Sequence, residues 1–182
     1  VYDNEAMLLA KVKEKKTKDQ YIYQFYHGET YAARKKGLMK GSLDRTEKGQ
    51  QLILDALADP FWHIRVLACG KVGKLKEDMR KKGIAMLYEM IKNDDNSHVR
   101  DAALSALEQL MDDEKELANV YKDRIANDQS YTVITSALRN LSKTDAKSAI
   151  KLAETLEGEQ SSKMIAGIAQ LYAAHGGEEK YD

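Results

Sequence analysis

The side chains with the widest chemical reach in this sequence are four histidines, one cysteine and a large supply of carboxylates. Their spacing decides what they can do. His27, His63, His98 and His175 form no i, i+4 pair that grips zinc from one helix face, and none stands in an H-E-x-x-H segment. His63 and His98 share one position of a repeat, each followed by a β-branched residue (Ile64, Val99), and read as helix-start residues near the surface. Cys69 lies between Ala68 and Gly70 with no neighbouring base to make it a nucleophile, so it reads as a small buried side chain. A lone cysteine excludes an internal disulfide and a cysteine-rich zinc site. No G-x-x-x-x-G-K-[ST], G-x-G-x-x-G or G-x-S-x-G segment occurs, so neither a phosphate-cradling loop nor a nucleophile elbow is expected. Pairs such as Asp112-Asp113 fall in polar, loop-like stretches. No catalytic residue, no cofactor-binding residue and no metal ligand is assigned.

Charge adds little to that. The chain holds 29 basic and 29 acidic residues, and zero net charge gives no electrostatic reason to expect nucleic acid or an acidic membrane. The halves differ: residues 1–91 carry 18 Lys or Arg against 12 Asp or Glu (+6), and residues 92–182 carry 11 against 17 (−6). Such a gradient either orients the chain against a partner or is only a set of solvated helix faces. Lys11, Lys13, Lys15, Lys16 and Lys18, followed by Tyr21, Tyr23, Phe25 and Tyr26, have the ingredients of a nucleic-acid surface. Glu14 and Asp19 interrupt the run, and rings at helical spacing more often fill a core. No nucleic-acid partner is expected. No run of about 18 apolar residues exists, and the N-terminus lacks a signal-peptide pattern, so no membrane partner is expected and the compartment stays open.

The elements that must position these residues are helices. One proline in 182 residues and an almost complete lack of strand-type alternation favour an all-α reading. Ile84, Leu87, Tyr88 and Ile91 fall at i, i+3, i+4 and i+7, the stripe of a half-buried helix. Val99, Ala103, Ala106, Leu107 and Leu110 repeat it, as do Ile134, Ala137, Leu138 and Leu141, and Ala149, Leu152, Ala153 and Leu156. Five blocks align, beginning at Tyr31, Trp62, Ser97, Tyr131 and Ser162, with Arg34, Arg65, Arg100, Ile134 and Ile165 at the fourth position, separated by 31, 35, 34 and 31 residues. A period in this range is the signature of stacked helical repeats. Six positions before the fourth stand Gly28, Asp59, Asp94, Asp128 and Glu159.

The layout has a chemical sense. An acid at a helix start accepts hydrogen bonds from the first-turn N–H groups and lies at the positive end of the dipole. An arginine one and a half turns on can reach an acid of its own or the adjoining repeat through a planar fork. Asp59, Asp94, Arg34, Arg65 and Arg100 are therefore expected to stabilise the repeat. Small residues three places on, Ala68, Ala103 and Ala137, let helices approach closely, and Pro60 suits a first helical position. The pattern of Asp, then Val or Ile with Arg, then Ala and Leu, resembles the second helix of HEAT repeats. The spacing predicts an α-α superhelix of about five antiparallel helix pairs: 17–27 with 30–40, 47–58 with 60–74, 79–92 with 97–111, 115–126 with 130–142, and 145–156 with 161–175. Residues 1–16 are expected as a lead-in, 17–176 as the repeat domain and 177–182 as the start of a further element, in a chain cut from a longer protein.

A more particular likeness is carried by Gln24-Phe25-Tyr26-His27-Gly28-Glu29-Thr30-Tyr31-Ala32-Ala33-Arg34 and by Ala56-Leu57-Ala58-Asp59-Pro60-Phe61-Trp62-His63-Ile64-Arg65. Here the chain resembles the C-terminal helical domain of bacterial zinc aminopeptidases of the aminopeptidase N family. The lead-in would then be the remnant of a preceding β domain, with alternation at Leu8, Ala10 and Val12 compatible with a strand. The resemblance implies a parent enzyme that removes N-terminal amino acids from peptides with a zinc held in a catalytic domain outside this chain. Neither H-E-x-x-H nor G-x-M-E-N is present, so no catalytic residue carries over. What is implied is a role: capping the active-site cavity and limiting peptide access, with the catalytic domain of the same parent chain as partner and peptide substrates met indirectly. The alternative is a free-standing HEAT scaffold for protein–protein interaction, and an enzyme of the DNA-repair type acting on nucleic acid is a third reading.

Overall fold

The computed structural model describes Lys13 and residues 17–176 of the chain. Among them the regular structure is helical: α1 (17–27), α2 (Tyr31–Gly41), α3 (Glu47–Leu57), α4 (Trp62–Cys69), a 3-10 turn (Val72–Lys74), α5 (Glu77–Asn93), α6 (Ser97–Glu108), α7 (Glu114–Asn127), α8 (Tyr131–Thr144), α9 (Ala146–Glu154) and α10 (Ser162–His175). Two compact units form, Val1–Met86 and Leu87–Asp182, each with its own core. The expected lead-in, Lys13 apart, and the expected element at 177–182 lie outside the described residues.

In the Val1–Met86 unit, α3 packs between α2 and α4. Leu52, Ile53, Ala56 and Leu57 of α3 are almost inaccessible, as are Ile64, Ala68 and Cys69 of α4, because their spacing puts them on facing stripes. Burying each such Leu or Ile removes enough apolar surface from water to contribute roughly 1.5–3 kcal/mol. The approach of α1 to α2 is closer than a side chain allows: a Cβ on Gly37 would stand 2.5 Å from the Phe25 amide nitrogen. Gly37 fills the small position that Ala68, Ala103 and Ala137 fill in later repeats. Thr30 starts α2 by accepting the Ala33 N–H at 3.2 Å.

In the Leu87–Asp182 unit, α8 is the central rod, packed on α6, α7, α9 and α10. α6 packs on α8, and Val99, Ala103, Leu104 and Leu107 of the one and Val133, Ala137, Leu138 and Leu141 of the other are all essentially buried. Helix starts are fixed by side-chain caps: Asn96 accepts from His98 N–H, Asp113 from Glu116 N–H and Asp145 from Ser148 N–H, at 3.0, 2.9 and 3.0 Å. Each satisfies a donor that the helix itself cannot.

One predicted element is misplaced. The helix expected over 60–74 runs only from Trp62 to Cys69. The Asp59 carboxylate accepts the Phe61 N–H at 2.9 Å, and this tight turn keeps 59–61 out of the helix, so Pro60 lies in the loop rather than at the first helical position. At the other end Gly70 closes α4, and the chain tightens into the Val72–Lys74 turn, since glycine disfavours helix continuation by about 1 kcal/mol. The fold class is the expected one: all-α.

Candidate functional site

The five sequence-predicted residues take up one recurring arrangement at the loop before each second helix. Asp59, Asp94 and Asp128 each turn a carboxylate oxygen back to the N–H two residues on, accepting from Phe61, Asn96 and Ser130 at 2.9, 2.9 and 2.8 Å. They close the loop rather than cap the helix directly. Arg65 and Arg100 reach back six residues, donating from Nη1 to the Asp59 and Asp94 carbonyls, each at 2.8 Å. Arg34 reaches forward and donates to the Asp59 carboxylate. Arg100 does the same with two parallel bonds, Nε to Asp128 Oδ2 at 2.8 Å and Nη2 to Oδ1 at 2.7 Å. The fork matches the planar carboxylate and fixes both partners' orientation.

The Asp128 side chain is 1% exposed. Burial works to raise its pKa, but the Arg100 fork, the Ser130 N–H and the charges of Arg100 and Arg124 outweigh that and hold the carboxyl below its ordinary range. Arg124, not singled out from the sequence, is itself buried. It donates to the Ile91 carbonyl at 3.2 Å and from Nε to Asp123 Oδ2 at 3.1 Å, and this pairing is the main cause that holds the Asp123 carboxyl low. The hydrogen bonds of these charges described above are all made within the fold.

A second kind of rung joins successive repeats through tyrosine. Tyr26 donates to Asp55 at 2.6 Å, Tyr88 to Glu116 at 2.5 Å and Tyr131 to Glu159 at 2.7 Å, across 29, 28 and 28 residues. Burial, then the bonded carboxylate, pushes the Tyr26 and Tyr88 hydroxyls well above the usual tyrosine range. The near-constant separation was the available signal; single Tyr and acid residues in different helices carry no pattern of their own.

A cluster of aromatic rings lies at the start of two second helices. Tyr31 opens α2, Phe61 immediately precedes α4, and Trp62 and His63 open it. Tyr31 and Phe61 meet edge to face with centroids 5.2 Å apart, His63 lies 5.5 Å from Phe61 and 5.7 Å from Tyr31, and His63 stacks on Trp62 at 3.5 Å. Lys35 Nζ sits 5.8 Å above Tyr31. Tyr31 is 39% and Phe61 38% exposed. In the basic, ring-bearing run, Phe25 is core while Tyr23 and Tyr26 are exposed, and Tyr23 stacks on His27 at 4.2 Å. Among the described residues no group of three or more His, Cys, Asp or Glu is placed to hold a metal ion, and no helix is long and apolar enough to cross a membrane. What this edge can do is bind by packing.

Repeat-spaced Asp and Arg residues bracing successive helix pairs define a helical-repeat protein of the α-α superhelix class. A family model described as HEAT repeats matches residues 51–142, just over half of the 182 residues, and the chain belongs to that family. No curated protein and no solved structure matches it.

Proposed function

We propose that this chain is a non-catalytic repeat scaffold that docks a protein on the aromatic edge of the Val1–Met86 unit. The observation that carries this is the pair Tyr31 and Phe61, in contact with each other and each more than a third exposed. Large rigid rings lose little rotamer freedom on binding and supply most of the energy where proteins meet. The braces beneath them are engaged within the fold, so the edge is preorganised rather than adaptable. In this reading the chain itself holds no cofactor, and neither nucleic acid nor a membrane is a partner.

The test is a Tyr31→Ala/Phe61→Ala double variant of the full chain. A partner retained from lysate by the wild type, then purified and titrated, should bind the variant at least about tenfold more weakly. Equal affinities would remove the aromatic edge from the interface.

A second reading rests on the segments 24–34 and 56–65. It makes the chain the C-terminal domain of a zinc aminopeptidase, capping the active-site cavity and limiting which peptides enter. The docked protein is then the catalytic domain of the same parent chain, which holds the zinc, and peptide substrates are met indirectly. An H-E-x-x-H upstream in the same reading frame supports it; zinc-dependent hydrolysis of an aminoacyl-arylamide by this chain alone refutes the non-catalytic role.

A further inference from the structure

Most cations with a defined partner in this protein meet a carboxylate: Arg34, Arg100, Lys122, Arg124 and Lys143 all do. A group of cations in one unit stands outside that pattern. In the Val1–Met86 unit, the loop between α2 and α3 and the 3-10 turn leading into α5 enclose a cavity of about 470 Å³. Arg45, Lys74, Lys76 and Arg80 line it, and none of the four makes an ion pair among the described residues; Arg80 donates from Nε to the Leu75 carbonyl at 3.1 Å. The acid in the lining is Asp44, and both its oxygens are occupied by Thr46, at 3.0 Å from N–H and 2.9 Å from the hydroxyl. Glu77 and Asp78 begin α5 but face solvent outside the lining.

The two cation-bearing segments are tied together from below. Gln50, 6% exposed, accepts the Lys76 N–H at 2.8 Å and donates to the Arg45 carbonyl at 3.4 Å. A buried amide therefore ties the backbone of Arg45 to that of Lys76, and the four cationic side chains are exposed where they line the cavity. Burial, and then the neighbouring Lys74 charge, hold the adjacent Lys71 ammonium below its usual range.

We propose that this cavity binds the phosphate of a phosphorylated segment on a protein partner. A phosphate monoester carries a charge of about −1.5 to −2 at neutral pH and three acceptor oxygens, which a carboxylate cannot match. Two guanidinium forks with two ammonium groups are a donor set suited to it. The volume is of the size that holds a small polar group together with its flanking chain. Opposing a nucleic acid as occupant, the lining contains no aromatic ring on which a base could stack. This inference rests on the scaffold reading and adds to it a second contact point and a condition, phosphorylation, under which the partner binds.

The experiment titrates the full chain with the peptide Ala-Gly-phosphoserine-Gly-Ala and with its unphosphorylated form, following backbone amide shifts at about 0.15 M salt. The phosphopeptide should shift residues 42–50 and 73–80, and the serine peptide should not. Arg45→Ala/Arg80→Ala should weaken the phosphopeptide at least about tenfold. Lys74→Gln/Lys76→Gln, which keeps side-chain length, provides the same reading should the first pair disturb the loop. Lys151→Ala, in the other unit, should change binding by less than about twofold. Equal response to the two peptides, an equal loss with Lys151→Ala, or displacement of the phosphopeptide by an oligothymidylate would overturn the proposal. A captured partner whose affinity ignores both dephosphorylation and these variants removes the cavity and leaves the scaffold standing. A chain that binds the phosphopeptide here but tolerates Tyr31→Ala/Phe61→Ala in partner binding keeps the cavity and loses the aromatic edge.

Discussion

Two junctions within the Leu87–Asp182 unit use the same repeat position in opposite ways. Between α6 and α8 the position is Arg100, whose fork crosses to Asp128 in a nearly dry setting. Between α8 and α10 it is Ile134, 6% exposed, and the polar link has moved to Tyr131 and Glu159 at the surface. The position accepts either a charge that reaches the next repeat or a buried apolar side chain. The charged version specifies which carboxylate it meets, while the apolar version asks only for a complementary surface.

The largest effect should come from breaking the charged junction on one side. Asp128→Ala leaves Arg100 and the buried Arg124 short of a counter-charge, and the cost should be roughly 3 kcal/mol in a denaturation titration. A loss no greater than that of an exposed control such as Lys151→Ala would show the fork to be energetically idle. Arg65→Ala removes the bonds to the Asp59 and Pro60 carbonyls and should cost roughly 1–3 kcal/mol; an unchanged melting curve refutes that. At the apolar junction Ile134→Val should cost about 0.5–1.5 kcal/mol. Ile165 occupies the matching position in α10 and is 55% exposed, so Ile165→Thr should stay within about 0.5 kcal/mol. A larger loss would mean the two isoleucines are not equivalent positions in different surroundings.

pH separates the junctions by sign. Asp123 and Asp128 are held below the ordinary carboxyl value of 3.8. Their contribution is complete above that value and is lost as pH falls through the depressed ones. Tyr131 is held above the ordinary tyrosine value of 10.0, chiefly by its bond to Glu159; its contribution is complete below that value and is lost as pH rises past it. Asp128→Asn should make the acid limb of a stability profile shallower and Tyr131→Phe the alkaline limb, each leaving the other limb in place.

What could be read in advance followed from periodicity. Stripes such as Val99, Ala103 and Leu107 state a helix and its buried face outright, and the spacing of Arg34, Arg65 and Arg100 exposes a repeat before any contact is known. The start of α4 was not legible, because whether Asp59 bonds the helix or the loop depends on a backbone turn that Pro60 permits equally in both cases. Arg124 was hidden for a different reason: nothing local distinguishes a buried arginine from a solvated one, and its Ile91 partner is 33 residues away. The basic cavity was illegible too, since Arg45 and Lys76 are distant in the sequence and the bonds that tie their backbones run through the side chain of Gln50.

The single cysteine turns one of these cores into its own reporter. Cys69 is 1% exposed, at the end of α4 beneath α3, so a thiol reagent can reach it only during excursions that part those helices. The labelling rate under native conditions, set against the rate in denaturant, measures how often this unit opens, residue-specifically and without any engineered probe. A docked protein that clamps Phe61, at the opposite end of α4, and so holds that helix in place should slow the reaction, giving a chemical clock for occupancy.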